Sequence, residues 1–214
     1  MSIRAAQKQQ TRQALLDTAL QLSFEKGSFA SVSLREITTA VGIVPAAFYR
    51  HFSDMNALGM ELVDCTSIYV RNVFYQMGRM VVDVPESTPI HRITYLFDMV
   101  DAYPAMWHFF LAERFSGNLV MREALQREHH YLLHEFTQRI VHLEIIQKVS
   151  GSELATSFST LYLQAAFNWV TLWMSLKNQY QNEALIQQQQ QLKASVLQQI
   201  YLLFLSVQST KKPE

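Results

Sequence analysis

The sequence predicts an all-α protein of about nine helices, and three observations carry that expectation. Hydrophobic residues make up 49% of the 214 positions, and only 6 Gly and 5 Pro interrupt them. That balance suits long packed helices better than strands joined by turns. Apolar residues recur at helical spacing along most of the chain, with capping or breaking residues between the runs, and no segment reads as a convincing strand. The organisation that follows is a three-helix N-terminal unit over residues 1–52 and a larger helical body over residues 53–214. A chain of this length buries a core without disulfide or metal staples.

A first helix is expected over Gln10–Glu25, where Ala14, Leu15, Thr18, Ala19 and Leu22 share a face and Lys26-Gly27 supplies a stop. Ser33-Leu34-Arg35-Glu36 has the capping-box form: the serine hydroxyl satisfies a first-turn amide and the glutamate reaches back to the cap. A short second helix begins there and ends at Gly42, since glycine tolerates the left-handed backbone of a sharp turn. Pro45 then takes a first helical position, where its missing N–H is no loss, and a third helix runs to about His51. Two short helices around a glycine turn have the form of a helix-turn-helix. Ser53 and Asp54 cap a fourth helix through Leu58, Leu62, Ile68, Val70 and Phe74 towards Met80. Asp83–Pro89 is a loop. Helices are expected beyond it over Ile90–Ala102, Pro104–Phe115, Asn118–Leu143, Ser152–Asn178 and Glu183–Val207. The glutamine run Gln187–Gln191 falls at the start of the last periodic stretch and reads as a solvated helix face.

Cys65 is the single cysteine and no basic leader with an apolar stretch opens the chain, so a cytoplasmic protein is expected. The apolar run Leu161–Leu176 is shorter than the roughly 20 residues of a membrane span. It also contains Gln164 and Asn168, so a buried helix and no membrane partner are expected. The net charge of zero is unevenly spread. Residues 1–52 hold Arg4, Lys8, Arg12, Lys26, Arg35 and Arg50 against Asp17, Glu25 and Glu36, and the remainder is correspondingly acidic. Such asymmetry suits a phosphate-attracting head on a body that does not touch nucleic acid.

The string Ser33-Leu34-Arg35-Glu36-Ile37, Val41-Gly42-Ile43 and Ala47-Phe48-Tyr49-Arg50-His51-Phe52 resembles the signature of the TetR family of repressors. That family often has a lysine shortly after the His-Phe pair, where Met55 stands here. The chain further resembles the FabR/DesT-type regulators of unsaturated fatty-acid synthesis. The residues concerned are Arg4-Ala5, Gln7-Lys8, Thr11-Arg12, Ser28-Phe29-Ala30-Ser31, and the body around Pro104, Leu111, Glu113-Arg114 and Ser116-Gly117. That subgroup often has an arginine just before the Glu-Arg pair, where this chain has Ala112. The resemblance implies a homodimeric repressor of double-stranded DNA with an inverted-repeat operator and no cofactor. It also implies a small-molecule effector, in the subgroup an acyl chain carried on coenzyme A (acyl-CoA) or acyl carrier protein (acyl-ACP).

In a helix-turn-helix the second helix enters the major groove. Here it presents Val44, Pro45, Ala46, Ala47 and Tyr49, which favours contact with thymine methyls over bidentate hydrogen bonds. Arg35 on the preceding helix has the fork geometry for guanine, and the resemblance also places it at DNA. Ser31, Ser33, Tyr49, His51 and Arg4 or Lys8 are the phosphate candidates. Phe48 and Phe52 are expected in the core, and Arg50 suits a salt bridge as well as DNA.

The aromatic-rich body is expected to leave an elongated apolar cavity between helices. Under the resemblance Phe97, Trp107, Phe110, Phe136 and Phe167 line it and Arg114 holds the polar end of the ligand; the alternative for Arg114 is a salt bridge to Glu113 or Glu128. The last two helices are expected to form the dimer through Ala165, Ala166, Trp169 and Trp173, and through a stripe of Leu197, Ile200, Leu203, Phe204 and Val207. Two rivals remain. His130 and His134, one turn apart beside His129, are the strongest hint of a metal-dependent enzyme, but a solvated helix face is preferred and no metal is expected. No nucleophile elbow, phosphate loop or dinucleotide motif is present. The other rival keeps the repressor but gives it a cationic drug, for which Asp98, Asp101 and Glu113 would be the carboxylates. Cys65 on an apolar helix reads as packing rather than as a redox sensor.

Overall fold

The structure, a computed structural model, describes residues 3–82, 87–142 and 151–209. Among these residues there are nine α-helices, two short 3-10 turns and no strand. The helices are α1 (Ile3–Lys26), α2 (Leu34–Val41), α3 (Pro45–Phe48), α4 (Met55–Val82), α5 (Pro89–Ala102), α6 (Pro104–Ala112), α7 (Leu119–Ile140), α8 (Gly151–Gln179) and α9 (Asn182–Ser209). The 3-10 turns are η1 (Phe29–Ser31) and η2 (Glu113–Phe115). Leu143, the segment 83–86 of the expected loop and the side chain of Val207 lie outside the described residues.

Three boundaries differ from the sequence expectation, each for a physical reason. Helix α1 starts at Ile3, a full two turns before the apolar periodicity begins. Its first turns are strong helix formers, Arg4 through Gln10, that face solvent and so carry no apolar signal. Helix α3 stops at Phe48 instead of His51: Arg50 N–H bonds Ala47 O at 3.2 Å and His51 N–H bonds Phe48 O at 2.8 Å, tightening the last turn to 3-10 geometry. Helix α6 stops at Ala112 and tightens into η2, which turns Glu113 into the interior.

The chain forms two compact units, residues 1–70 with 104–128, and residues 71–103 with 129–214. The unit that holds the helix-turn-helix thus also takes in α6, η2 and the start of α7. In it, α1 packs on α2 and α6, burying Leu15, Leu16, Ala19 and Leu20. Phe48 and Phe52 are buried as expected, with ring centroids 5.6 Å apart. Arg12 lies 4.4 Å over the Phe52 ring and pairs with Glu61, tying α1 to α4. Gly59 of α4 leaves room for two neighbouring side chains. A Cβ there would come within 2.8 Å of Met121 Sδ and 3.0 Å of Phe29 Cε1.

The second unit is built on α5, α8 and α9, with the C-terminal parts of α4 and α7. Phe97 and Trp173 stack face to face at 4.1 Å. Trp173 Nε1 donates to Asp101 Oδ1 at 2.8 Å, and Trp169 Nε1 donates to Gln199 Oε1 at 2.7 Å, so both buried indoles are satisfied.

Gly42 closes α2 in the left-handed region, with φ 77° and ψ 31°. A β-branched residue is strained there, so Gly42→Val is expected to lower stability by about 1–2 kcal/mol. Urea denaturation followed by circular dichroism measures this, and an unchanged midpoint would contradict it.

Candidate functional site

The head is assembled by local chemistry. Ser33 Oγ accepts from Glu36 N–H at 3.3 Å and donates to Glu36 Oε2 at 2.8 Å, while Ser33 N–H donates to the same oxygen at 2.9 Å. Gly42 N–H bonds Thr39 O at 3.1 Å and Ile43 N–H bonds Thr38 O at 2.9 Å, which ends α2 and aims the chain into α3. Asp54 then accepts from Ala57 N–H at 2.8 Å and caps α4.

This geometry sorts the sequence-predicted DNA residues. Val44, Pro45, Ala46 and Tyr49 stand exposed on and beside α3, Val44 at 68% and Tyr49 at 61%, while Ala47 is half-buried. Arg35, Ser31, Arg4 and Lys8 are exposed, the last two one turn apart on α1. Ser33 is a correction: its hydroxyl and its N–H are both committed to the capping box, which removes it from the phosphate donors. Lys26 is committed too, to Glu36 and to the Ser31 carbonyl. Arg4, Lys8, Arg35 and Arg50 have no ion pair among the described residues, so the positive potential of the head rests on them. His51 is half-buried; partial burial is the main cause that lowers its pKa, followed by the charges of Lys8, Arg12 and Arg50. Its neutral form is therefore favoured beside Lys8, Arg12 and Arg50.

One residue outside the head also positions it. Glu113 of η2 is 1% exposed, and its Oε1 accepts from Phe29 N–H at 2.8 Å and from Ser28 Oγ at 3.2 Å. The Phe29 ring meets Phe109 of α6 edge-on at 6.0 Å. The turn that leads into α2 is thus held by α6 and η2. From sequence Glu113 reads as a salt-bridge or ligand carboxylate, because the segment that folds onto it lies 84 positions away.

The second unit contains a cavity of about 820 Å³. Phe74, Phe136, Phe158, Tyr162, Ile200 and Phe204 form apolar wall, and Arg79, Arg92, Arg139 and Glu135 are also on its lining. Phe136 and Tyr162 stack at 5.2 Å, and burial raises the pKa of the Tyr162 phenol.

The sequence pattern of bacterial regulatory proteins of the tetR family matches residues 15–61, the span from mid-α1 into α4. A curated HTH-type transcriptional regulator of Haemophilus influenzae, itself uncharacterised, is 31% identical over 186 residues, covering 86% of this chain and 90% of that protein. This chain belongs to the TetR family. Among solved structures, a transcriptional regulator (TerR/AcrR family) from Aquifex aeolicus VF5 superposes with a TM-score of 0.61 at 18% identity, over 90% of this chain and 99% of that one. The fatty acid degradation regulator FadR from Bacillus halodurans gives 0.63 at 15% identity, over 91% and 94%. TetR-family proteins are transcriptional regulators, not enzymes, that bind DNA and small-molecule effectors and typically act as dimers. Among the described residues no group of three His, Cys, Asp or Glu is placed to hold a metal, and no helix is long and apolar enough to cross a membrane.

For this TetR-family body the structure places the ligand and dimer candidates as follows. Of the six ligand candidates only Phe136 lines the cavity. Phe97 is spent on Trp173, and Phe167 meets Phe74 edge-on at 5.7 Å inside the core. Trp107, Phe110 and Arg114 belong to the first unit, where Arg114 lies 6.0 Å over Phe110 and 5.6 Å over Phe115. The dimer candidates Ala166, Trp169 and Trp173 are buried within the monomer, and Ile200 and Phe204 line the cavity. Ala165 and Leu197 are half-buried.

Two outcomes are expected from this geometry. Glu113→Ala leaves the Phe29 amide without its acceptor and is expected to lose about 1–3 kcal/mol of stability, read by thermal unfolding, with faster amide exchange at Phe29. Glu36 has its pKa lowered to about 2, first by the hydrogen bond from Lys26, then by the Ser33 N–H and hydroxyl. A depressed carboxylate contributes stability above its unfolded pKa and loses it as pH falls through the folded one. The capping box is therefore expected to persist to about pH 4 and to weaken towards pH 2, seen in the carboxyl chemical shift of Glu36; a midpoint near 4.5 would overturn this.

Proposed function

We propose that this chain is a repressor that binds an inverted-repeat operator as a homodimer and senses a long-chain acyl-CoA or acyl-ACP in the cavity of its second unit. The observation that carries the DNA half is the exposed α2–turn–α3 face with Arg35 beside it and Arg4, Lys8 and Arg50 left without internal ion pairs. Arg35 would grip a guanine edge, Tyr49 and the α1 cations would hold phosphates, and Val44, Pro45 and Ala46 would meet thymine methyls.

The acyl reading is supported by a cavity whose walls are aromatic and aliphatic, and by the structural likeness to a regulator named for fatty acid degradation. The cationic-drug alternative loses its carboxylates. Asp98 and Asp101 do not line the cavity, Asp101 being engaged by Trp173 and by Lys177 at 2.7 Å, and Glu113 is bound to the η1 turn in the first unit. For the dimer, the outward apolar residues of the last two helices include Leu161 and Leu172 on α8 and Tyr201, Leu202 and Leu205 on α9. With Ala165 these make a face that a two-fold axis would pair with itself, setting the heads about 34–36 Å apart or at a related spacing.

A gel shift on DNA flanking the chain's own gene, at fixed salt, tests the reading. An inverted-repeat fragment is expected to bind, and saturated and unsaturated acyl-CoA to change that affinity differently. Arg35→Ala is expected to weaken binding by about 1–3 kcal/mol without altering thermal stability. Failure of every inverted-repeat fragment to bind would defeat the repressor assignment.

A further inference from the structure

The cavity of the second unit carries an imbalance of charge. Arg92 and Arg139, two of the arginines on its lining, share it with one carboxylate, Glu135. Arg92 on α5 is half-buried, and its Nη1 donates to the Ser87 carbonyl at 2.9 Å. No carboxylate pairs with it among the described residues. Arg139 on α7 lies 4.2 Å over the Tyr75 ring and likewise has no carboxylate partner among the described residues. Glu135, one turn earlier on α7, is exposed and forms an ion pair with neither arginine.

The Arg92 guanidinium, drawn partly out of water, loses hydration that a neutral carbonyl replaces only in part, and a well-placed anion with bidentate hydrogen bonds replaces more of it. Burial already lowers the Arg92 pKa. Each guanidinium keeps N–H donors in a planar fork that matches a carboxylate or a phosphate. The walls beside them, Phe136, Phe158, Tyr162 and Phe204, suit an apolar chain.

We propose that Arg92 and Arg139 form the anion-binding pole of this cavity, and that its ligand is an amphiphile with a negatively charged head, carboxylate or phosphate, and an apolar tail along the aromatic walls. The inference rests on the reading of the cavity as the effector site and deepens it by naming the charge of the ligand and the residues that select it. A neutral or cationic amphiphile of equal chain length makes no ion pair with either arginine and leaves half-buried Arg92 without a counter-charge.

Isothermal titration of the full chain with four chain-matched probes tests this: oleate, oleoyl-CoA, methyl oleate and oleylamine. At least one anionic probe is expected to bind about 10- to 100-fold more tightly than methyl oleate, with oleylamine weakest. Preference for oleate identifies the carboxylate as the head, and preference for oleoyl-CoA identifies the phosphates; either supports the pole. Arg92→Gln combined with Arg139→Gln is expected to reduce the anion preference to within about threefold, while methyl oleate affinity stays the same. Arg92→Lys, which keeps a cation, is expected to retain part of it. Arg139→Gln alone, at an exposed position, preserves the test if the double variant fails to fold. Equal affinity for methyl oleate and both anions, or undiminished preference in the variants, overturns the pole. Charge-selective binding that leaves operator affinity unchanged in a gel shift overturns the effector reading and leaves the pole standing. Binding of none of the four probes overturns both.

Discussion

The hydrogen bond from the Phe29 amide to the Glu113 carboxylate is the contact on which the first unit turns. A buried carboxylate needs donors in place of its lost water, and Phe29 N–H and Ser28 Oγ supply two, both to Oε1. Charge-assisted bonds of this kind are roughly twice as strong as neutral ones. They hold η1, the three-residue link between α1 and α2, while Phe109 and the missing side chain of Gly59 leave the Phe29 ring its place. The helix-turn-helix is consequently seated on α6 and η2 as well as on its own first helix. Any displacement of η2 acts on the residue that starts the approach to α2.

Within the head, structure and charge are handled by different residues. Ser33, Glu36 and Lys26 neutralise one another while shaping the start of α2, and Arg12 does the same for α1 and α4 with Glu61 and Phe52. What remains is a surface whose cations are not consumed by the fold. Arg4 and Lys8 are among them, exposed on the first turns of α1.

In the second unit the indoles decide which faces look inward. Satisfying Trp169 through Gln199 and Trp173 through Asp101 turns the small-residue and tryptophan face of α8 towards α5 and α9. Ile200 and Phe204 of α9 line the cavity, and Leu161, Leu172, Leu202 and Leu205 lie outside. Helical periodicity shows that α8 and α9 have apolar faces. It does not say whether the neighbour across that face is the same chain or a second one, since both bury the same kind of side chain. That is why Trp169, Trp173, Ile200 and Phe204 read as interface residues from sequence.

The helices, their caps and the helix-turn-helix were determined by the sequence itself, because each rests on interactions within a few positions: the Ser33–Glu36 box, the left-handed Gly42, Pro45 at a first turn and Asp54 before α4. Boundaries moved where the local signal was absent, as in the solvated first turns of α1, where the last turn tightened, as at the end of α3, or where a distant partner intervened, as at Glu113. The cavity and its charges were decided by tertiary structure alone. Arg92, Arg139, Phe158 and Tyr162 come from three helices widely separated in the chain, and no spacing rule links them. Likewise Glu113 carries no local mark distinguishing a buried anchor from an exposed acid; only folding brings it to Phe29, where desolvation makes its two hydrogen bonds obligatory.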